Sequence, residues 1–132
     1  MRINNIYTRV IVVGIGAVAT SCILELKNRG VNVEVLATRS NTVLSMKSFC
    51  ERNNIDYIEI EVESITSFLM SITEKTLLLS ISNRYIFPNT VITKDNLEII
   101  NYHGALLPKY PAIPPARFAL ILAESTVNLL IL

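Results

Sequence analysis

Two apolar runs constrain the fold of this chain most strongly. Residues 9–13 (Arg-Val-Ile-Val-Val) and residues 76–81 (Thr-Leu-Leu-Leu-Ser-Ile) are almost continuously apolar. A strand with one buried face alternates apolar and polar residues, whereas a strand covered on both faces reads as an unbroken apolar run. Because such strands are typical of parallel sheets with helices on both sides, the two runs predict an α/β fold.

Helical and extended patterns alternate around these two runs. Further strands are predicted at residues 31–36, 57–60 and 98–102, and helices at residues 17–29, after residue 42, near residues 65–72 and from residue 115. The predicted inner faces of the helices are Val18, Cys22, Ile23 and Leu26; Val43, Met46, Phe49 and Cys50; Ile65, Phe68, Leu69 and Ile72; Phe118, Leu122 and Ala123. This order predicts a Rossmann-like, doubly wound, mainly parallel sheet in one domain over residues 1–132.

Composition excludes several classes of function. The 132 residues are 51% hydrophobic and 17% charged, with a net charge of +1, so nothing indicates nucleic-acid binding. With one histidine and no Cys-x-x-Cys pair, a metal site is not expected. The cysteines Cys22 and Cys50 fall at apolar helix positions, which favours buried free thiols and a cytoplasmic location. We expect neither a signal peptide nor a membrane span, because Gly14 and Gly16 interrupt the apolar run near the N-terminus.

A glycine pair follows the first predicted strand. Gly14 and Gly16 stand between that strand and a helix, where backbone N–H groups can bind a phosphate or another anion. The second strand is followed by Arg39, which suits the 2′-phosphate of NADP, and lacks the acidic residue that NAD requires. A tight structural turn explains the two glycines equally well.

The strongest functional signal is a pair of polar residues at the end of the fifth predicted strand. Asn101 and His103 are two residues apart, so in a strand they would point to the same face. A proline-rich loop follows them, and strands of α/β proteins commonly end in this way at a binding site. A donor such as an amide can stabilise an oxyanion, and an imidazole can move a proton near neutral pH. A single histidine near a strand end is, however, also common as a structural residue.

The segment Asn101-Tyr-His103-Gly-Ala-Leu-Leu-Pro108 resembles the Asn-x-His-x-Ser-Leu-Leu-Pro motif of the folate-dependent formyltransferases. The resemblance extends back to Tyr85-Ile-Phe-Pro88 and forward to the helix predicted from Pro115. It implies a Rossmann-like sheet that binds no dinucleotide, with 10-formyltetrahydrofolate as formyl donor and a small-molecule or carrier-bound amine as acceptor. The chain departs from the motif at Ala105, where the family usually has serine.

The resemblance also implies roles for individual residues. Asn101 and His103 would be the catalytic pair, and Gly14 and Gly16 would form a glycine loop on the acceptor side. The residues near the pterin of the donor would be Tyr85, Ile86, Phe87 and Leu107.

The family's third catalytic residue is an aspartate a few dozen residues beyond the histidine, and the sequence ends at Leu132. We therefore expect that the 132-residue chain alone transfers no formyl groups at an enzymatic rate. We also expect weak folate binding at best, and poor solubility or association with another chain through an incomplete sheet edge near the C-terminus. Three alternatives stay open at this point: a formyltetrahydrofolate hydrolase of the same fold, an NADP-binding module, and a non-catalytic remnant that binds a partner.

Overall fold

The computed structural model of the chain describes residues 3–38, 43–83 and 85–102. The strands are β1 (Arg9–Gly14), β2 (Val33–Thr38), β3 (Asp56–Ile60), β4 (Thr76–Ile81) and β5 (Leu97–Tyr102). The helices are α1 (Ala17–Asn28), α2 (Val43–Arg52), α3 (Ile65–Ser71) and the single turn α4 (Asn89–Ile92). The strands form one parallel sheet in the order β3-β2-β1-β4-β5. This confirms the predicted α/β, doubly wound fold.

The sheet separates two layers of buried side chains. We call the side on which α1 and α2 pack the α1 face, and the side on which α3 and α4 pack the α3 face. Buried residues of the α1 face include Val10, Val12, Cys22, Ile23, Leu26, Val35, Met46, Cys50, Leu77, Leu79 and Ile81. Buried residues of the α3 face include Ile11, Val13, Leu36, Ile65, Leu69, Leu78, Val91, Leu97 and Ile99. Burial on both faces is why β1 and β4 are continuously apolar.

Helix α1 buries a different set of residues from the predicted one. Val18 is 37% exposed, whereas Ala19 is completely buried together with Cys22, Ile23 and Leu26. Both sets have helical spacing, so periodicity alone could not separate them. The way in which the helix docks on the sheet decided between them, and the assignment of Val18 to the inner face was wrong.

Strand β2 begins at Val33, two residues later than predicted. Val31 instead completes the end of α1, because its N–H donates to the carbonyl of Leu26 at 2.9 Å while the N–H of Gly30 donates to Lys27 at 3.0 Å. These two bonds form a Schellman motif, and Gly30 supplies the positive φ of 78° that this motif requires. Val31 is therefore an apolar residue of the C-terminal cap of α1 and does not belong to β2.

The remaining elements lie close to their predicted positions. Strand β4 has the predicted limits, β5 begins at Leu97, and Asn54 ends the turn after α2 with a φ of 56°. The turn α4 was not predicted. No helix among the described residues is long and apolar enough to span a membrane. Several predicted features lie outside the described residues: Arg39, His103, Leu107, the helix from Pro115 and the C-terminal edge of the sheet.

Candidate active site

The order of the strands predicts a ligand-binding crevice between the carboxyl ends of β1 and β4. Strand β1 lies between β2 and β4 in the sheet. The helix that follows β1 packs on the α1 face, whereas the helix that follows β4 packs on the α3 face, so the direction of winding changes between these two strands. Ligands of open α/β sheets bind outside the carboxyl ends of the strands at such a switch point. Gly14, Ile81 and Tyr102 are register partners at these ends, so the loops after β1 and β4 and the end of β5 adjoin.

The two glycines of the loop after β1 have different structural causes. A Cβ atom on Gly14 would collide with the backbone carbonyl oxygen of Ile81, so the close approach of β1 to β4 requires a glycine there. Gly16 has a φ of 92° and a ψ of −175°, a region that side chains rarely allow, and the described atoms leave open space around it. Gly16 is the N-cap of α1 and brings no side-chain cap to the helix. Gly14 is thus explained by packing, and Gly16 leaves the helix N-terminus accessible at the crevice.

Asn101 is the second-to-last residue of β5, and it lies on the α3 face. Its neighbours Ile100 and Tyr102 pack against the α1 face, and alternation along the strand turns Asn101 to the other side. Its register partner on β4 is Ser80, which is 1% exposed and lies on the same face. Asn101 is half-buried. The predicted catalytic amide therefore lies at the carboxyl end of the sheet, next to a buried hydroxyl.

The segment of residues 85–88, which we call the 85–88 loop, follows β4 and covers the same face. Tyr85 and Phe87 pack against the buried residues of the α3 face, and their rings meet edge to face with centroids 5.0 Å apart. The hydroxyl groups of Tyr85 and Thr66 are hydrogen-bonded to each other, which attaches the loop to α3. Ile86, between the two aromatic residues, is 86% exposed. Of the three predicted pterin contacts in this loop, only Ile86 presents its side chain mainly to solvent.

Three polar residues of this region were not predicted. Asn83 accepts a hydrogen bond from the N–H of Tyr85 at 3.2 Å and donates one to the hydroxyl of Ser80 at 3.4 Å. Thr66 holds the hydroxyl of Tyr85 from α3. Ser80 was visible in the sequence as the one polar residue within residues 77–81, and Asn83 as a turn-forming residue, but neither signal indicates a partner.

The cysteines and the acidic residues of the described part of the chain lie away from Asn101 or are buried. Burial raises the pKa of the Cys22 thiol to about 12 and that of Cys50 to about 11, so neither is a reactive nucleophile. The described residues contain no cluster of histidine, cysteine, aspartate and glutamate that could hold a metal ion. Glu61 follows β3, the strand farthest from β5 in the described sheet, so it does not substitute for an acidic residue beside Asn101.

Comparison with known proteins supports the formyltransferase resemblance. The chain is 29% identical over 86 residues to methionyl-tRNA formyltransferase of Acetivibrio thermocellus. This chain is similar in sequence to a formyltransferase. The similarity covers 64% of the chain and 28% of the length of that relative. No protein-family model matches the chain.

Proposed function

We propose that this chain takes part in formyl transfer from 10-formyltetrahydrofolate to an amine. The observation that carries the proposal is the position of Asn101, a polar residue at the carboxyl end of β5 on the face covered by the 85–88 loop. This position adjoins the switch-point crevice, where the fold favours ligand binding. The similarity to a formyltransferase over 64% of the chain supports the same reaction class.

Asn101 would stabilise negative charge in this reaction. The donor, when bound, supplies an activated formyl group whose oxygen becomes negatively charged as an amine adds to the carbon. The side-chain amide of Asn101 has two N–H groups that can donate to that oxygen. A fixed donor of this kind contributes roughly 2.7–4 kcal/mol to transition-state stabilisation in other enzymes. The neighbouring strand β4 fixes the backbone of Asn101 through its register with Ser80.

His103 would move the proton that the attacking amine loses. The pKa of histidine in model peptides, about 6.5, allows an imidazole to accept and return protons near neutral pH. His103 lies outside the described residues, two positions beyond Asn101 in sequence. The assignment of His103 therefore rests on the sequence motif and on the position of Asn101.

The 85–88 loop would contact the donor through Ile86. The pterin ring of a folate is flat and partly apolar, so an exposed aliphatic side chain beside the crevice suits one of its faces. Tyr85 and Phe87 are held against the α3 face and would support the loop from beneath. Leu107, the fourth residue that the resemblance implies for the pterin, lies outside the described residues.

The acceptor would approach from the glycine loop after β1. Gly14 and Gly16 lie at the same carboxyl end of the sheet as Asn101. One strand, β4, separates β1 from β5, so the axes of β1 and β5 are about 10 Å apart. A small amine, or the amine of a carrier-bound group, would reach Asn101 across this distance. Methionyl-tRNA is the acceptor named for the relative, and for this chain we propose only the amine.

A ligand titration tests the proposed function. Isothermal titration calorimetry of the 132-residue chain with 5-formyltetrahydrofolate, which does not transfer its formyl group, should give saturable binding, and NADP should give none. The same titration of Asn101→Ala tests the contribution of Asn101. Its matched control is Asn4→Ala, because Asn4 lies at the opposite end of the sheet and its amide donates to the carbonyl of Gly30. Binding of NADP without binding of the folate would refute the proposal in favour of a dinucleotide-binding module.

A further inference from the structure

We infer that Asn83 is a positioning residue that, with Ser80 and Thr66, fixes the 85–88 loop for donor binding. The inference rests on the proposed function, because it assigns the loop to the donor. None of the three residues belongs to the formyltransferase motif. Their role is to hold other residues in place, and none of them is assigned contact with the reacting atoms.

Asn83 fixes the start of the loop with both ends of its amide. Its carbonyl oxygen accepts the N–H of Tyr85, and its amino group donates to Ser80. The first bond ties the 85–88 loop to Asn83, where the chain turns away from β4. Ser82 precedes this turn with a φ of 54°, and its N–H donates to the carbonyl of Tyr102 at 3.2 Å. The turn is thus tied to β5 as well as to β4.

Ser80 connects this turn to the row of Asn101. It is buried and occupies the register position beside Asn101 on the same face. A buried hydroxyl group needs a hydrogen-bond partner, and Asn83 supplies one. Ser80, which bonds Asn83 before the 85–88 loop, and Asn101, the proposed catalytic amide, therefore occupy neighbouring positions on the same face of the sheet.

Thr66 holds Tyr85 a second time, through the side chain of that residue. Its hydroxyl bonds that of Tyr85, whose ring packs edge to face on Phe87. With residues 85 and 87 both held inward, the intervening Ile86 is turned outward and is 86% exposed. An exposed apolar side chain on a loop anchored at both neighbours loses little conformational freedom when a ligand covers it. Such preorganisation raises affinity without any additional contact.

The test measures loop order and donor binding in the same variants. Asn83→Ala removes both hydrogen bonds, whereas Asn83→Asp keeps an acceptor for Tyr85 and can accept the hydroxyl of Ser80. Asn53→Ala is the matched control, because Asn53 bonds the carbonyl of Phe49 at the opposite edge of the sheet. The readouts are hydrogen exchange of the Tyr85 amide, the Kd of 5-formyltetrahydrofolate and the thermal midpoint.

In Asn83→Ala we expect faster exchange of the Tyr85 amide and a rise of about tenfold in Kd, measured well below the thermal midpoint, which should fall because the hydroxyl of Ser80 loses its partner. Asn83→Asp should restore both values. If Asn83→Ala does not fold, Thr66→Val, which removes only the bond to Tyr85, should produce the same rise in Kd.

Two results would overturn the inference in distinguishable ways. If the wild-type chain binds the folate and Asn83→Ala binds it equally well, the positioning role fails and the proposed function stands. If the wild-type chain does not bind the folate, the proposed function fails and the inference fails with it.

Discussion

Ser80 and Asn101 are register partners at the carboxyl ends of β4 and β5, and both lie on the α3 face of the sheet. Two residues earlier on the same face, the register partners Leu78 and Ile99 are both buried and apolar. The change from an apolar pair to a polar pair marks the end of the core on this face. Because burying a polar group without a partner costs free energy, such a pair is expected where the core meets a site.

Substitution of Asn101 should affect transfer and not folding. In any form of the protein that transfers formyl groups, Asn101→Ala should lower kcat by about 10²–10³-fold, the loss typical of one oxyanion donor. Full activity in a folded Asn101→Ala variant would remove this residue from the catalytic pair. Asn4→Ala, measured in the same assay, should leave kcat unchanged.

Ile86 should contribute to donor binding and not to stability. Its side chain is 86% exposed, so Ile86→Ala removes almost no buried surface and the thermal midpoint should stay within about 1 °C of wild type. The Kd of 5-formyltetrahydrofolate should rise about fivefold or more, since a covered aliphatic side chain contributes about 1–2 kcal/mol. The control is Ile92→Ala, because Ile92 is another exposed isoleucine and is the last residue of α4. Equal affinity in the Ile86 and Ile92 variants would contradict a donor contact at Ile86.

Gly14 should tolerate substitution less well than Gly30. Gly14→Ala places a methyl group against the carbonyl oxygen of Ile81, so β1 and β4 must move apart, which costs about 3 kcal/mol or more. Gly30→Ala meets open space and incurs only the strain of its positive φ, about 1 kcal/mol. Urea denaturation of both variants measures the difference in the free energy of unfolding. A Gly14→Ala variant as stable as Gly30→Ala would show that the strands are not closely packed there.

Stability should fall at alkaline pH because the cysteines are buried. Burial raises the pKa of Cys22 from 9.0 to about 12, so above pH 9 the unfolded chain loses a proton that the folded chain retains. The contribution of Cys22 is fully present below pH 9, and each pH unit between 9 and 12 lowers it by up to about 1.4 kcal/mol. Cys50, whose pKa burial raises to about 11, adds a further decline between pH 9 and 11. Tyr57, whose pKa burial raises to about 12, adds to the decline above pH 10. Urea denaturation from pH 8 to 11 should show this slope, and Cys22→Ala should reduce it; an unchanged slope in the variant would contradict the assignment.

Local sequence pattern was sufficient for the strands and for the class of fold. The apolar runs of β1 and β4 follow directly from burial on both faces, and the limits of β4 were predicted without error. The alternation of strands and helices then implied parallel connections and a doubly wound sheet. The motif around Asn101 located the candidate site at a strand end, and the structure places Asn101 there.

The sequence by itself determined the limits of β1, β3, β4 and β5 to within one residue, whereas β2 begins and ends two residues later than predicted. Only the tertiary structure decided that Ala19 and not Val18 is buried, that Ser80 lies beside Asn101, and that Thr66 bonds Tyr85. Periodicity records which residues can be buried, because it depends only on the geometry of one element. Which of them meet depends on how separate elements pack, and those contacts join residues that are distant in sequence, as Thr66 and Tyr85 are.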